Sequence, residues 1–285
     1  MNIKRFFRKF KILANAFIGY CYKFKIDIFG IGKIKPLSSG DETIIVSLTS
    51  YGRRVHSVVY YTLVSLLKQT MMPNKIILWL DDSLTYETLP AKLRNLCQCG
   101  IEIRYCNDIR SYKKLIPTLL ENSSAFIITV DDDVIYNKHL IHDLWKGYIS
   151  DHNIQCTVGS TPIITSTGFA PYAEWKSSQK PVSERLIMPI GVGGVLYPPN
   201  SLDDEVTNQK AFMELAPNAD DLWFWVMAKR KGSSHSIVKS KGTRYSFDAI
   251  YQYLHRGSAL THSNFGKSMN DIQLNNIIKH YRINL

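Results

Sequence analysis

The feature that most constrains this 285-residue chain is the stretch Ala125-Phe126-Ile127-Ile128-Thr129-Val130-Asp131-Asp132-Asp133, an apolar run that stops in three carboxylates. A short run rich in β-branched residues fits a strand buried on both faces of a sheet. In open α/β sheets, ligands gather at the carboxyl ends of such strands. Adjacent carboxylates there repel one another and are costly to desolvate without a cation. A hard divalent ion, Mg²⁺ or Mn²⁺, fits because it takes oxygen ligands and shares them with phosphate. A solvated acidic loop following an ordinary strand is the competing account.

The segments before this run set its context. After a linker, Lys35-Pro-Leu-Ser-Ser-Gly-Asp41, the pattern predicts a strand over 43–49 and a helix from Arg53 to Thr70. A strand over 75–80 ending in Asp81-Asp82, a helix near 88–98 and a strand over 101–105 follow. A helix over 111–120 leads into the acidic strand, and another is expected over 137–149. Strand and helix therefore alternate four times in about 110 residues, the pattern of a parallel, doubly wound α/β sheet. Beyond residue 150 the alternation fades into a proline-punctuated region containing Gly191-Val-Gly-Gly194. Glycines there serve either a tight turn, the favoured reading, or a close approach of backbone to a ligand.

A second informative stretch is Asn218-Ala-Asp-Asp-Leu-Trp-Phe-Trp-Val-Met-Ala228. An Asn/Asp cluster opening an apolar helix reads first as an N-cap favoured by the helix dipole. That role does not require two adjacent carboxylates before a segment apolar on all sides, which should be buried.

Charge separates the N-terminus from the rest. Residues 1–35 hold nine Lys or Arg against one acid, Asp27, so +8 of the net +11 lies in this leader. Its basic residues alternate with Phe6, Phe7, Phe10, Ile12, Leu13, Phe17, Ile18, Tyr20 and Tyr22. The longest uncharged run, Ile12 to Tyr22, is too short to span a bilayer. Ala14-Asn15-Ala16 lies at the start of that run, which argues against signal cleavage. Basic residues mixed with aromatics suit an anionic membrane interface, the preferred reading, over nucleic-acid contact or an ordinary helix packed on the body. The five cysteines are too few and too irregular for a disulfide framework and are expected to be reduced thiols. With 45% hydrophobic residues and 12% aromatics the chain has a globular composition.

Taken together, Ile45-Val-Ser-Leu-Thr-Ser-Tyr51, Leu66-Leu-Lys-Gln-Thr70 before Pro73, Asp131-Asp132-Asp133 and Ala219-Asp220-Asp221 make residues 42–260 resemble a GT-A fold nucleotide-sugar glycosyltransferase of the bacterial family 2 type. The resemblance implies a Rossmann-like, mostly parallel sheet with a C-terminal acceptor-side region. It divides the chain into a basic extension and linker (1–41), a nucleotide-sugar-binding half (42–150) and an acceptor-binding half (151–285). It implies that Asp131 and Asp133 hold Mn²⁺ or Mg²⁺ against a donor diphosphate, with Asp132 an ambiguous third member. His255 or His262 is a candidate extra metal ligand. Thr49, Asp81 and either Lys113 or Lys114 correspond to nucleotide-binding positions. Asp221 corresponds to the catalytic base, and Asp220 to acceptor binding or helix capping. The implied reaction is inverting transfer of a sugar, expected from a UDP-sugar, to a hydroxyl of a glycan or lipid-linked acceptor in surface polysaccharide synthesis. The implied location is the cytoplasm, peripheral at the inner face of the cell membrane.

Two rivals remain at this point. A haloacid dehalogenase-like phosphatase also uses D-x-D after a strand, but there the motif opens the sheet, whereas here three strands precede it. A non-enzymatic basic membrane- or nucleic-acid-binding protein accounts for the leader but leaves both acid stretches unexplained.

Overall fold

The computed structural model describes residues 3–166, 168–178, 182–183, 186–240, 245–246 and 268–283. The chain opens with α1 (Ile3–Phe29), followed by β1 (Ile44–Thr49), α2 (Arg53–Ser57), α3 (Val59–Leu66), β2 (Lys75–Asp81), α4 (Ala91–Asn95) and β3 (Ile101–Cys106). Next come a 3₁₀ turn at Arg110–Lys114, α5 (Ile116–Glu121), β4 (Phe126–Thr129), β5 (Val134–Ile135) and α6 (Leu140–Asp151). The strands then shorten: β6 (Ile154–Cys156), β7 (Gly159–Thr161), β8 (Ile164–Thr165), β9 (Gly168–Phe169), β10 (Lys176–Ser178), β11 (Val182–Ser183), β12 (Met188–Pro189) and β13 (Val195–Tyr197). Helices α7 (Gln209–Leu215) and α8 (Asp220–Lys231), strands β14 (His235–Ile237) and β15 (Tyr245–Ser246), and α9 (Met269–Tyr281) complete the described chain.

Eight strands form one sheet in the order β11-β14-β6-β13-β4-β1-β2-β3. The block β3-β2-β1-β4 is parallel throughout, as the strand–helix alternation predicts. β14 and β6 are also parallel, whereas β13 runs antiparallel to both β4 and β6. The result is a mixed, mostly parallel, Rossmann-like α/β fold. The sheet crosses residue 150 without a break, because β13 joins the later strands to β4.

Period-two alternation within the strands builds a large core on each face, with a smaller cluster of Ile45, Ile77, Trp79 and Ala125 beside them. Phe126 and Ile128 of β4 face a cluster with α3, α4 and α6, which also receives Ile26 of α1. Ile127 faces the opposite cluster, where Tyr112, Ile116, Phe212, Leu222, Trp223, Phe224 and Leu274 gather from the 3₁₀ turn, α5, α7, α8 and α9. The all-apolar segment Leu222–Ala228 is buried along its whole length, as its composition demands.

Two expected helices are broken. The one expected from Arg53 divides at Val58, whose φ of −121° is not helical. The run Val58-Val59-Tyr60-Tyr61-Thr62 is rich in β-branched and aromatic side chains that lose χ1 freedom in a helix. The other, over 111–120, divides at Leu115. Pro117 has no N–H and is accepted only in a first turn, so α5 starts afresh around it.

Helix α1 packs on the body through one face. Ile26 is 3% exposed, Tyr61 Oη donates to Asp27 Oδ1 at 2.5 Å, and Lys92 Nζ donates to Tyr61 Oη at 3.1 Å. Among the described residues no helix is long and apolar enough to cross a membrane. All five cysteines are free thiols.

Candidate functional site

The parallel block places the ends of β1, β2 and β4 at one rim, and the three acids leave β4 there. β13 runs the other way, so the segment entering it, Gly191–Gly194, arrives at the same rim. Helix α8 brings the second acid stretch to it. Lys114, from the 3₁₀ turn, sits between the two stretches. Its Nζ lies 2.7 Å from Asp220 Oδ2, 3.2 Å from Asp221 Oδ1 and 3.6 Å from Asp131 Oδ1.

Asp221 is fixed from two sides, accepting from Lys114 Nζ through Oδ1 and from Gly191 N–H at 2.9 Å through Oδ2. A side chain at Gly191 would displace the ends of Lys114 and Asp221. A Cβ there would lie 2.6 Å from Lys114 Nζ and 2.7 Å from Asp221 Oδ1. Gly194, at φ 86°, serves the turn instead, its N–H bonding to Gly191 O. The glycine segment therefore makes both the expected turn and a close backbone approach. The approach is to an ion cluster built by the protein itself.

The N-cap expected at Asn218–Asp221 is absent as a side-chain bond. The cap position of α8 is Ala219, and both acids occupy the first turn, where the helix dipole still favours them. Asp220 therefore does not cap the helix. It is committed to Lys114.

The three consecutive acids part company. Asp131 reaches Lys114 and keeps a third of its side chain exposed. Asp132 is buried, accepting from Ser50 Oγ at 2.5 Å on Oδ2 and from Arg54 Nη1 at 2.9 Å on Oδ1. Asp133 Oδ2 pairs with Arg54 Nη2 at 3.2 Å. The backbone of the turn is held as well. Tyr136 Oη accepts from Asp131 N–H at 2.8 Å and donates to Val192 O at 3.2 Å, tying the acid turn to the glycine segment. Helix α3 supports it from below, with Thr62 Oγ1 donating to Asp132 O and Ser65 Oγ accepting from Tyr136 N–H.

Among the described residues, the ion pairs of this cluster set five carboxylates against Lys114 and Arg54, a local surplus of acid. Burial raises the pKa values of Asp131 and Asp132 above the usual carboxylate range, against the pull of Lys114 and Arg54. Burial also raises Asp220 to about 6, opposed by Lys114 and reinforced by Asp221. Burial alone would lower the Lys114 ammonium. The attraction of Asp220, Asp221 and Asp131 outweighs it, and its pKa rises well above the lysine norm.

Such a surplus suits a hard cation that brings its remaining ligands from an anionic substrate. Mg²⁺ commonly uses only one or two protein carboxylates beside phosphate oxygens and water. Asp131 meets that requirement. Asp132 has both oxygens engaged, and Asp133 joins only by leaving Arg54. Among the described residues no three His, Cys, Asp or Glu side chains converge as a metal cage. His255 and His262, the candidate additional ligands, lie outside the described residues.

The other predicted residues fall as follows. Lys114 enters the cluster, whereas Lys113, one residue earlier on the same turn, pairs with Asp108. Thr49 and Asp81 stand at the ends of adjacent strands, with Thr49 Oγ1 donating to Trp79 O at 2.9 Å and Asp81 accepting from Ser83. Sequence reasoning missed Ser50, Arg54 and Tyr136. Arg54 lies at the start of the helix expected from Arg53, but nothing local shows that its guanidinium meets acids 78 and 79 residues later.

No protein-family model and no curated protein matches this sequence. Solved structures with a similar chain path include a UTP-bound UGPase from Acinetobacter baumannii, 11% identical, TM-score 0.46, covering 82% of this chain and 98% of that one. A UDP-glucose pyrophosphorylase from the same organism is 10% identical with TM-score 0.45, covering 82% and 99%. A CMP:2-keto-3-deoxy-manno-octonic acid synthetase complexed with CTP is 11% identical with TM-score 0.44, covering 76% and 98%.

Proposed function

We propose that this protein is a metal-dependent glycosyltransferase of the GT-A type. It moves a sugar from a nucleoside diphosphate donor, a UDP-sugar, to a hydroxyl of a glycan or lipid-linked acceptor, with inversion. The observation that carries this reading is the meeting of Asp131 with Asp220 and Asp221 around Lys114. Asp221, oriented by Gly191 N–H and Lys114, takes the proton from the acceptor hydroxyl as that oxygen bonds to the anomeric carbon. The bond from that carbon to the donor diphosphate breaks in the same step, and Lys114 would balance charge growing on the leaving group. Asp131 would hold the divalent ion, with Asp133, which pairs with Arg54, as the second carboxylate. When bound, the ion supplies Lewis-acid stabilisation of the leaving diphosphate. Thr49 and Asp81 line the nucleotide side. In this reading residues 42–150 bind the donor and 151–285 the acceptor. The enzyme works at the inner face of the cell membrane, on surface polysaccharide.

The test is nucleotide release from UDP-, GDP-, CMP- and dTDP-sugars, with and without Mn²⁺. Metal-stimulated release from one donor is expected. Asp131→Asn should abolish it, and Asp221→Asn should stop transfer while preserving donor binding. A panel left intact, or full turnover by Asp131→Asn, overturns the reading. Pyrophosphate release from a nucleoside triphosphate plus a sugar phosphate would replace it with nucleotidyl transfer.

A further inference from the structure

Helix α1 has two unlike faces. At about 100° per residue, Phe17, Phe24 and Ile28 fall within a single arc of roughly 40°, and Ile26 lies diametrically opposite. The structure agrees. Phe17, Phe24 and Ile28 are 69%, 65% and 55% exposed, whereas Ile26 is buried among the residues of the body. Tyr20, Ile18 and Phe29 extend the exposed apolar surface on either side. In the sequence the same register continues towards the N-terminus through Phe6, Phe10 and Leu13. A stripe of large apolar side chains left in water over several turns marks an interaction surface.

Charge identifies the occupant. The leader carries nine basic residues, and its one acid, Asp27, accepts a hydrogen bond from Tyr61 of the body. Lys25, Lys33 and Lys35 are exposed beside the helix and the segment after it. A second copy of this chain would bring two such leaders together, like charge against like. Nucleic acid would engage the cations and leave the stripe wet. An anionic bilayer satisfies both features, taking aromatic and aliphatic side chains at the acyl boundary and lysines at the headgroups.

The inner face connects this surface to the acid cluster. Asp27 bonds to Tyr61 of α3, and the next residue of α3, Thr62, holds the backbone of Asp132. Helix α1 also lies against β15, which pairs with β5 directly after the acid turn.

We propose that α1 is a fixed interfacial membrane helix. Its outward stripe of Phe17, Phe24 and Ile28 inserts into an anionic bilayer surface, and its inward face sets the orientation of the acid cluster to that surface. The inference deepens the membrane part of the proposed function and is independent of the chemistry assigned to the cluster. Because α1 contributes Ile26 to the core, it is part of the folded body and not a removable tail. Point substitutions on the outer face therefore test it better than deletion.

The experiment is co-sedimentation of the full chain with phosphatidylcholine vesicles containing or lacking phosphatidylglycerol, at low and high salt and with no nucleotide sugar present. The wild-type chain should bind the anionic vesicles in a salt-sensitive manner. The triple variant Phe17→Ser/Phe24→Ser/Ile28→Ser should bind about a hundredfold more weakly, with unchanged circular dichroism and urea midpoint. Leu120→Ser, which removes an exposed leucine elsewhere, should bind like wild type. Absence of wild-type binding to anionic vesicles, or undiminished binding by the triple variant, overturns the proposal. So would conversion of a dimer to a monomer by the triple variant, or retention on DNA without vesicle binding. None of these outcomes depends on sugar transfer, so this inference and the catalytic reading fail separately.

Discussion

Lys114→Met is the most demanding perturbation of the acid cluster. The ammonium faces carboxylate oxygens at 2.7, 3.2 and 3.6 Å. At an effective dielectric constant of about 20 each contact is a gross attraction of about 5–6 kcal/mol. Desolvation of the ions and repulsion among the acids offset most of that sum. Removing one partner of a buried pair typically costs about 3–5 kcal/mol, because the other charge is left uncompensated. We expect that loss at pH 8 in urea unfolding with EDTA present. The pH dependence has a definite sign. Asp220 has a folded-state pKa raised to about 6. Its contribution to stability is therefore complete below the unfolded carboxylate pKa and lost as pH rises through about 6. Without Lys114 this carboxyl rises further, and the variant gains stability on acidification more steeply than wild type. The deficit should shrink to about 1–2 kcal/mol at pH 5, at about 1.4 kcal/mol per pH unit for each extra proton held. Lys113→Met, whose partner Asp108 is largely exposed, should cost about 1 kcal/mol at either pH. A deficit below about 1 kcal/mol at pH 8, or one that does not change with pH, would refute the view of Lys114 as the counter-ion of this cluster.

Other perturbations probe its surroundings. Gly191→Ala should cost about 1–3 kcal/mol in urea unfolding by overpacking, but lower donor turnover about a hundredfold by displacing Lys114 and Asp221; unaltered kinetics would show that the close approach is irrelevant to turnover. Tyr136→Phe leaves Asp131 N–H and Val192 O without their shared hydroxyl and should lower the urea-derived stability by about 1–3 kcal/mol; a cost near zero would mean the acid turn does not need that link. His235 is buried without a partner for either ring nitrogen among the described residues, and burial lowers its pKa to about 3. Its stability contribution is present above about pH 6.5 and lost on acidification, so His235→Leu should reduce the stability lost between pH 7 and 5 by about 2 kcal/mol; equal acid sensitivity of the two proteins in parallel urea titrations would contradict this.

The first four strands were readable because each is a short run carrying β-branched residues and bounded by turn residues; burial on both faces leaves β1, β2 and β4 little choice of structure, whereas β3 is a partly exposed edge strand. Both acid stretches were also visible. Their meeting was not, since strand order and the 3₁₀ turn bearing Lys114 decide it. Lys113 and Lys114 illustrate the limit. They are adjacent in sequence, yet on a tight turn they project to different partners, and composition cannot separate them. Arg54 reads locally as an ordinary basic residue opening a helix. The helix breaks at Val58 and Leu115 follow from side-chain crowding and from Pro117, competing effects that hydrophobic periodicity ignores. For α1 the stripe is present in the sequence at helical spacing, but only the fold shows which face the body covers.

The reversed direction of β13 has a consequence for synthesis of the chain. Strand β4 ends at Thr129, and the strand that covers its outer edge begins only at Val195. At roughly 5–20 residues per second a nascent chain exposes the bare Phe-Ile-Ile-Thr edge for on the order of 3–13 s before that partner emerges. A polypeptide stopped near residue 150 would carry the same unpaired edge permanently, inviting intermolecular strand addition. Soluble expression of the first half alone is therefore expected to fail, however complete its four parallel strands look.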